Sequence, residues 1–114
     1  MIVETRHITF SPDALREALR QYRSLFPEKQ PPGQVGRIWI RSQSPLVLEV
    51  SIQAIGATNF RELQMGENEV GGMLILYCRK AKIPLPRAGT KSIEARGDSL
   101  VLTVSKAMPV VRGD

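Results

Sequence analysis

Two segments of this chain, SPLVLEVSI at residues 44–52 and DSLVLTVSK at residues 98–106, spell nearly the same β-strand. In both, apolar residues recur with the period of two that is typical of a strand buried on one face. A chain of 114 residues has the size of a single ordinary domain. A strand that recurs within so short a chain favours a fold made of two similar units.

The similarity extends beyond these strands when residues 1–55 are laid over residues 56–110. Each half then reads as a strand, a helix, a proline-containing connector and a hairpin, with the apolar residues in the same phase. The matching positions are Ile8 with Leu63, Phe10 with Met65, Leu19 with Leu74, Tyr22 with Tyr77, Pro31 with Pro86, Ile38 with Ile93 and, after a one-residue gap, Leu46 with Leu100. We therefore predict an α+β fold: a tandem pseudo-symmetric βαββ duplication, with a mainly antiparallel sheet and two helices packed on one face. It would form a single domain over residues 1–114, with half-repeats at about 1–55 and 56–110.

Local signals give the boundaries of the predicted elements. Ser11 is a favourable N-cap and Pro12 suits the first turn of a helix, which Pro27 ends. The predicted elements are a strand over 2–10, a helix from 12 to 26, a hairpin over 36–52, a short strand over 59–65, a helix over 66–82 and a hairpin over 91–105.

The two predicted helices differ on their outer surfaces. The first carries arginines at positions 16, 20 and 23, which we expect to face solvent. Small and apolar residues occupy the corresponding surface of the second helix: Gly71, Gly72, Ile75, Leu76 and Cys78. A helix that is apolar nearly all round is buried on more than one side, so we predict a homodimer through this surface. The alternative is that the final hairpin or the N-terminal strand of the same chain covers it.

One strand combines basic and aromatic residues. Arg37, Trp39 and Arg41 alternate with Ile38 and Ile40, so the three project from one face. An aromatic ring flanked by guanidinium groups can stack on a base while the arginines neutralise phosphates. Three further basic residues in the second connector and hairpin extend the candidate site: Arg87, Lys91 and Arg96. The alternative is that Trp39 belongs to the core or to an interface and the arginines only border it.

The charge and the remaining reactive residues narrow the classes of function. A net charge of +5 and a pI near 9.9 are compatible with an anionic partner, although a role in solubility alone is the commoner reason for such a charge in a small protein. His7 is the only histidine and has no partners at metal-ligand spacing, so we expect neither a metal site nor a cofactor. The Asp and Glu residues are scattered along the chain, and no two of them are recognisable as a general acid and base. No catalytic residue is therefore predicted.

The start of the chain and its single cysteine bear on location. Cys78 cannot form an internal disulfide, and the first ten residues contain no secretory signal. The longest apolar run, residues 73–78, is too short to cross a bilayer. We therefore expect a cytoplasmic protein with no membrane partner.

These observations favour a small non-enzymatic binding protein whose basic sheet face engages nucleic acid or another anionic partner. The alternative is a small-molecule binder or enzyme with a cleft between the two halves. In module length the halves resemble those of vicinal-oxygen-chelate proteins, which enclose such a cleft. This chain has one strand fewer in each half and lacks a His/Glu metal set.

Overall fold

The order strand, helix, strand, strand occurs twice along the chain in the computed structural model, which describes residues 1–111 and 113. The elements are β1 (Ile2–Phe10), α1 (Pro12–Leu25), a short 3-10 turn (Pro27–Lys29), β2 (Gln34–Gln43), β3 (Leu46–Gln53), β4 (Phe60–Gly66), α2 (Glu67–Lys80), β5 (Thr90–Arg96) and β6 (Ser99–Met108).

The six strands lie in two three-stranded antiparallel sheets, one with the order β1-β6-β5 and the other with the order β2-β3-β4. The predicted α+β class and the antiparallel pairing are confirmed. The strands are divided between two sheets, where the sequence predicted one main sheet.

Each sheet combines strands from both halves of the chain. The first strand, β1, pairs with the last strand, β6, and β4 pairs with β3. The β2-β3-β4 sheet is formed by consecutive strands of the chain, whereas the β1-β6-β5 sheet joins the first strand to the last two.

The duplication itself stays a prediction. The two helices have the same length and begin 55 positions apart, at Pro12 and Glu67, as the predicted offset requires. The strands do not follow the predicted alignment, because Leu100 pairs with Phe10 whereas the residue paired with Met65 is Leu48. By its position in the sheet, the residue equivalent to Leu100 is Leu48, whereas the sequence alignment predicted Leu46. The mismatch of two residues keeps the same face inward, since side chains alternate with a period of two.

The first helix begins where its capping residues place it. The hydroxyl of Ser11 accepts a hydrogen bond of 3.3 Å from the backbone N–H of Ala14, and Pro12 occupies the first helical position. The second helix has acids in its first turn, Glu67 and Glu69, and bases in its last. Both groups of charges interact favourably with the helix dipole and so stabilise the two ends of α2.

One hydrophobic core joins both helices to both sheets. The helices contribute Leu15, Ala18, Leu19 and Tyr22 from α1 and Val70, Met73, Leu74 and Cys78 from α2. The central strands β3 and β6 contribute Leu46, Leu48, Val50, Ile52, Leu100, Leu102 and Val104. Because the helices and inward strand faces share one core, the opposite faces of the two sheets are left as outer faces.

The arginines of α1 are more engaged than the sequence indicated. Arg23 is half-buried and donates hydrogen bonds to Oε1 of Gln30 and to the backbone carbonyls of Pro31 and Gly33. Arg20 forms an ion pair with Glu17. Arg23 therefore holds the connector between α1 and β2 and does not belong to a freely solvated stripe.

Candidate functional site

The outer face of β2 carries the three residues that the sequence singled out. Ile38 and Ile40 pack against the core, so the residues between and beside them project from the opposite face. Arg37 and Arg41 are exposed, whereas Trp39 is half-buried. Trp39 is thus neither a core residue nor fully exposed.

Arg37 and Trp39 form a stacked pair. The guanidinium carbon of Arg37 lies 4.6 Å from the centre of the Trp39 ring. This is the geometry of a cation–π interaction, which orients both side chains on the surface. The pair presents a positive charge beside an aromatic ring.

A β-bulge in β2 places Gly36 and Arg37 together opposite Ser51 of β3. The pairing skips from Val35 to Ile38, and the backbone N–H of Arg37 donates a 2.7 Å hydrogen bond to Oγ of Ser51. A bulge bends its strand and re-aims the side chains at that point. Here two residues of β2, Gly36 and Arg37, lie opposite the single residue Ser51 of β3.

A second aromatic side chain, Phe60 of β4, lies on the same face. A Cβ atom added to Gly36 would be 2.6 Å from Cε1 of Phe60 and 2.7 Å from Oγ of Ser51. The absence of a side chain at Gly36 therefore lets the Phe60 ring lie across the sheet beside Arg37. Phe60 remains 52% exposed. We call Phe60, Arg37 and Trp39 the aromatic platform.

Sequence analysis missed Phe60, although a signal for it was present. The alternation that turns Leu63 and Met65 inward turns Phe60 outward. The pairing of β4 with β3 was not predicted from the sequence. This pairing brings Phe60 to the face that carries Trp39.

The platform is bordered by a buried acid. Glu49 is 1% exposed and lies in register between Trp39 of β2 and Gln64 of β4. Nη1 of Arg41 donates to Oε2 of Glu49 at 2.9 Å. Arg41 is therefore neutralised within the protein, and Arg37 is the cation that the platform presents.

The other three predicted basic residues lie elsewhere. Lys91 and Arg96 are on β5, in the other sheet, and Arg87 is in the connector before it. Arg96 forms an ion pair of 2.9 Å with Glu94, and Nζ of Lys91 donates to the Gly89 carbonyl. Thus three of the six predicted residues lie on the strand that carries the platform and three lie on the β5 side of the molecule.

A cleft of about 540 Å³ adjoins the platform at the edge of β2. It is lined by the start of α1, by residues 37–40 of β2 and by Gly97 and Asp98 in the turn between β5 and β6. Its charged lining is balanced: Asp13, Arg16, Arg37 and Asp98. Nη2 of Arg16 donates to the carbonyl of Gly36, which ties α1 to the bulge.

The predicted dimer surface of α2 is partly covered within the chain. Cys78 is fully buried, and a Cβ on Gly71 would meet Cδ1 of Ile93 at 3.3 Å. Ile75 and Leu76 are half-buried, and Gly72 is exposed. The final hairpin thus covers the part of this helix around Gly71, which is the alternative that the sequence left open.

The remaining reactive groups do not form a site. Burial raises the pKa of the Cys78 thiol, and the positive charge of Arg6 offsets this only in part. Nδ1 of His7 lies 3.1 Å from the hydroxyl of Thr103, on β6. Within residues 1–111 and 113, no three His, Cys, Asp or Glu side chains are grouped closely enough to hold a metal ion. No helix in the described part of the chain is long and apolar enough to cross a membrane.

Comparison of the chain with known proteins gives no match to a protein family, to a curated protein or to a solved structure. The geometry of its own residues is therefore the guide to its function.

Proposed function

We propose that this chain is a non-enzymatic binding protein whose aromatic platform binds single-stranded nucleic acid. The observation that carries the proposal is the pair of aromatic side chains, Trp39 and Phe60, on one sheet face with Arg37 at the bulge between β2 and β3. Single strands are bound by stacking successive bases on aromatic rings and by basic groups that contact the backbone.

The proposed contacts divide into stacking and charge. Phe60 has an exposed ring, and Trp39 has a half-buried one. Each base stacked on an aromatic ring contributes about 1–3 kcal/mol. In the part of the chain that the structure describes, Arg37 forms no ion pair, so its charge is available to a phosphate.

The charge distribution predicts weak dependence on salt. Glu49 neutralises Arg41, which leaves Arg37 as the main phosphate contact on this face. A single-stranded site with one such contact should give a slope of about −0.7 for log K against log salt concentration. Binding dominated by stacking should therefore persist at moderate ionic strength.

Trp39 provides a direct measurement because it is the only tryptophan in the chain. We expect a short oligothymidine to quench its fluorescence at low ionic strength. An abasic oligonucleotide with the same number of phosphates should bind more weakly, because it offers nothing to stack.

Matched variants distinguish binding by the aromatic platform from non-specific attraction by the net charge of the chain. Phe60→Ala should weaken binding about tenfold, as expected for the loss of one stacked base. Arg37→Gln and Arg61→Gln make the same change in charge, but Arg61 projects from the inner face of β4. Arg37→Gln should weaken binding and Arg61→Gln should not. Equal effects of the two variants, or no quenching at low ionic strength, would refute the proposal.

A second candidate function is the binding of a small molecule in the adjoining cleft. Residues from both halves of the chain line this cleft, from Pro12 in the first half to Asp98 in the second. Its balanced charges favour a ligand that carries both an anionic and a cationic group. Raised thermal stability with such a compound, but not with the oligonucleotide, would favour this alternative.

Two expectations from the sequence stay predictions. A homodimer through α2 is supported by the exposed Gly72 and the half-buried Ile75 and Leu76, but Cys78 is not part of that surface. A cytoplasmic location is supported by the single cysteine, Cys78, which fits a reducing compartment.

A further inference from the structure

The first strand is a long and regular sheet edge. β1 pairs with β6 over nine consecutive positions without a register shift, and no other described strand pairs with it. The edge strand β2, by contrast, is interrupted by two register shifts. Proteins usually protect edge strands by bulges, prolines or short length, because an open regular edge can accept another strand. β1 has no bulge or proline and is nine residues long, and its charged residues are Glu4 and Arg6.

Apolar residues are exposed at the start of this edge. Ile2 and Val3 are 52% and 58% exposed, and Met1 is also exposed beside them. In the middle of the strand, Glu4 and Thr5 are exposed and Arg6 is half-buried. The edge thus combines apolar side chains with two opposite charges.

The sequence of β1 is complementary to itself in one antiparallel register. If two copies of β1 lie antiparallel with Thr5 opposite Thr5, then Glu4 faces Arg6 and Ile2 faces Ile8 in both directions. Opposite charges and apolar pairs at directly facing positions each stabilise a pair of strands.

The neighbouring registers are disfavoured. A twofold axis perpendicular to the sheet keeps every side chain on its own face, so the facing residues must both be even-numbered or both be odd-numbered. The two nearest alternatives place Arg6 opposite Arg6 or Glu4 opposite Glu4. Like charges directly opposite each other are destabilising, so charge selects the register centred on Thr5.

The hydrogen bond that Arg6 forms within its own chain does not prevent it from pairing with Glu4 of a second copy. Nη1 of Arg6 donates to the carbonyl of Pro84, in the connector that follows α2. A guanidinium group has five N–H donors, so the same side chain can also donate to a carboxylate.

We propose that the open edge of β1 binds a second copy of this chain, antiparallel and with Thr5 on the twofold axis. The two β1-β6-β5 sheets then form one continuous six-stranded sheet across the dimer. This interface is separate from the aromatic platform, which lies on the other sheet.

Sedimentation equilibrium over a concentration series tests the proposal. The wild-type chain should approach twice its mass of 12.7 kDa as the concentration rises. Glu4→Arg replaces both Glu4–Arg6 pairs by like charges and should raise the dissociation constant about tenfold or more. The double variant E4R/R6E exchanges the charges and should restore dimerisation. Glu62→Arg makes the same charge change on the edge strand β4 and should leave dimerisation unaffected.

A crosslink gives a second readout that does not depend on the fold of the charge variants. Facing residues on the axis have their Cβ atoms about 4.5–5.5 Å apart, so Thr5→Cys should form a disulfide-linked dimer under copper phenanthroline. Thr58→Cys, in the exposed loop before β4, should crosslink much less.

Each of the following outcomes would overturn the proposal. The wild-type chain could remain a monomer up to millimolar concentration. Ile75→Glu could abolish a dimer that Glu4→Arg leaves intact, which would assign the interface to α2. A correctly folded E4R/R6E could also fail to dimerise while Thr5→Cys fails to crosslink.

Discussion

The hydroxyl of Tyr22 donates a hydrogen bond of 2.8 Å to Oε2 of Glu69, and so links α1 to the first turn of α2. Tyr22 is almost completely buried. Burial, together with the hydrogen bond to Glu69 and its negative charge, raises the pKa of Tyr22 to about 12. This contact joins the two helices by a polar bond at the edge of the core.

The raised pKa predicts a loss of stability in alkali. The folded state holds the tyrosine proton more tightly than the unfolded state, whose pKa is near 10. The unfolded state therefore loses its proton first as the pH rises above 10, and the free energy of unfolding falls until about pH 12. The expected loss is about 2 kcal/mol by pH 12, of which about 1.4 kcal/mol is reached at pH 11. Urea denaturation at pH 8 and pH 11, followed by Trp39 fluorescence, measures it.

Tyr22→Phe and Tyr77→Phe make a matched pair for this prediction. Tyr22→Phe should cost about 1 kcal/mol at neutral pH through the lost hydrogen bond, and it should remove most of the alkaline loss. Tyr77→Phe keeps the Tyr22–Glu69 bond and should keep the alkaline loss. The prediction is wrong if both variants respond alike to pH.

The ion pair between Arg41 and the buried Glu49 should matter more than the exposed pairs. Arg41→Ala leaves a buried carboxylate without its partner, and water reaches it only in part. We expect a cost of about 2 kcal/mol in the free energy of unfolding. Arg96→Ala breaks a pair that is exposed at both ends and should cost less than about 0.5 kcal/mol. The double variant R41A/E49Q should recover part of the loss, and chemical denaturation that shows no recovery would argue against this account.

The two glycines of α2 should respond differently to alanine. A Cβ at Gly72 would meet no atom within 4 Å, so Gly72→Ala should stabilise the helix by about 1 kcal/mol through its higher helix propensity. Gly71→Ala gains the same propensity but has to displace Cδ1 of Ile93, which would lie 3.3 Å away. Its net gain should therefore be smaller. Thermal denaturation of both variants tests this ranking, which fails if Gly72→Ala lowers the melting temperature.

Cys78 should be unreactive in the folded protein. It is fully buried, and burial raises the pKa of its thiol, so the reactive thiolate is scarce at neutral pH. Ellman's reagent should modify it only after unfolding in urea. Thr58→Cys introduces an exposed thiol that should react at once in the native state and provides the control. Fast native modification of Cys78 would contradict the packing of α2.

Local chemistry was sufficient to predict most of the elements. Ser11 and Pro12 begin α1 where predicted, and the β5–β6 hairpin turns at Gly97, whose φ of 61° lies in the left-handed region that favours glycine. These features depend on neighbouring residues only. The strand partners depend on distant ones, and the sequence did not predict that β1 pairs with β6.

The candidate site shows the same division. Alternation along β2 was sufficient to place Arg37 and Trp39 on one face. The bulge opposite Ser51, the ring of Phe60 beside Gly36 and the burial of Glu49 all arise from contacts among β2, β3 and β4. A single strand read by itself contains no information about them.

The exchange of strands between the halves has a consequence for synthesis of the chain. β1 leaves the ribosome before its pairing partner β6, which begins only at Ser99. Until then the nascent chain carries unpaired backbone groups along β1, next to the apolar side chains of Ile2 and Val3. Pairs of strands that lie far apart in the sequence form slowly, and strands that are still unpaired are prone to aggregate. Until β6 emerges, the edge of β1 is thus open to pairing with other unpaired strands.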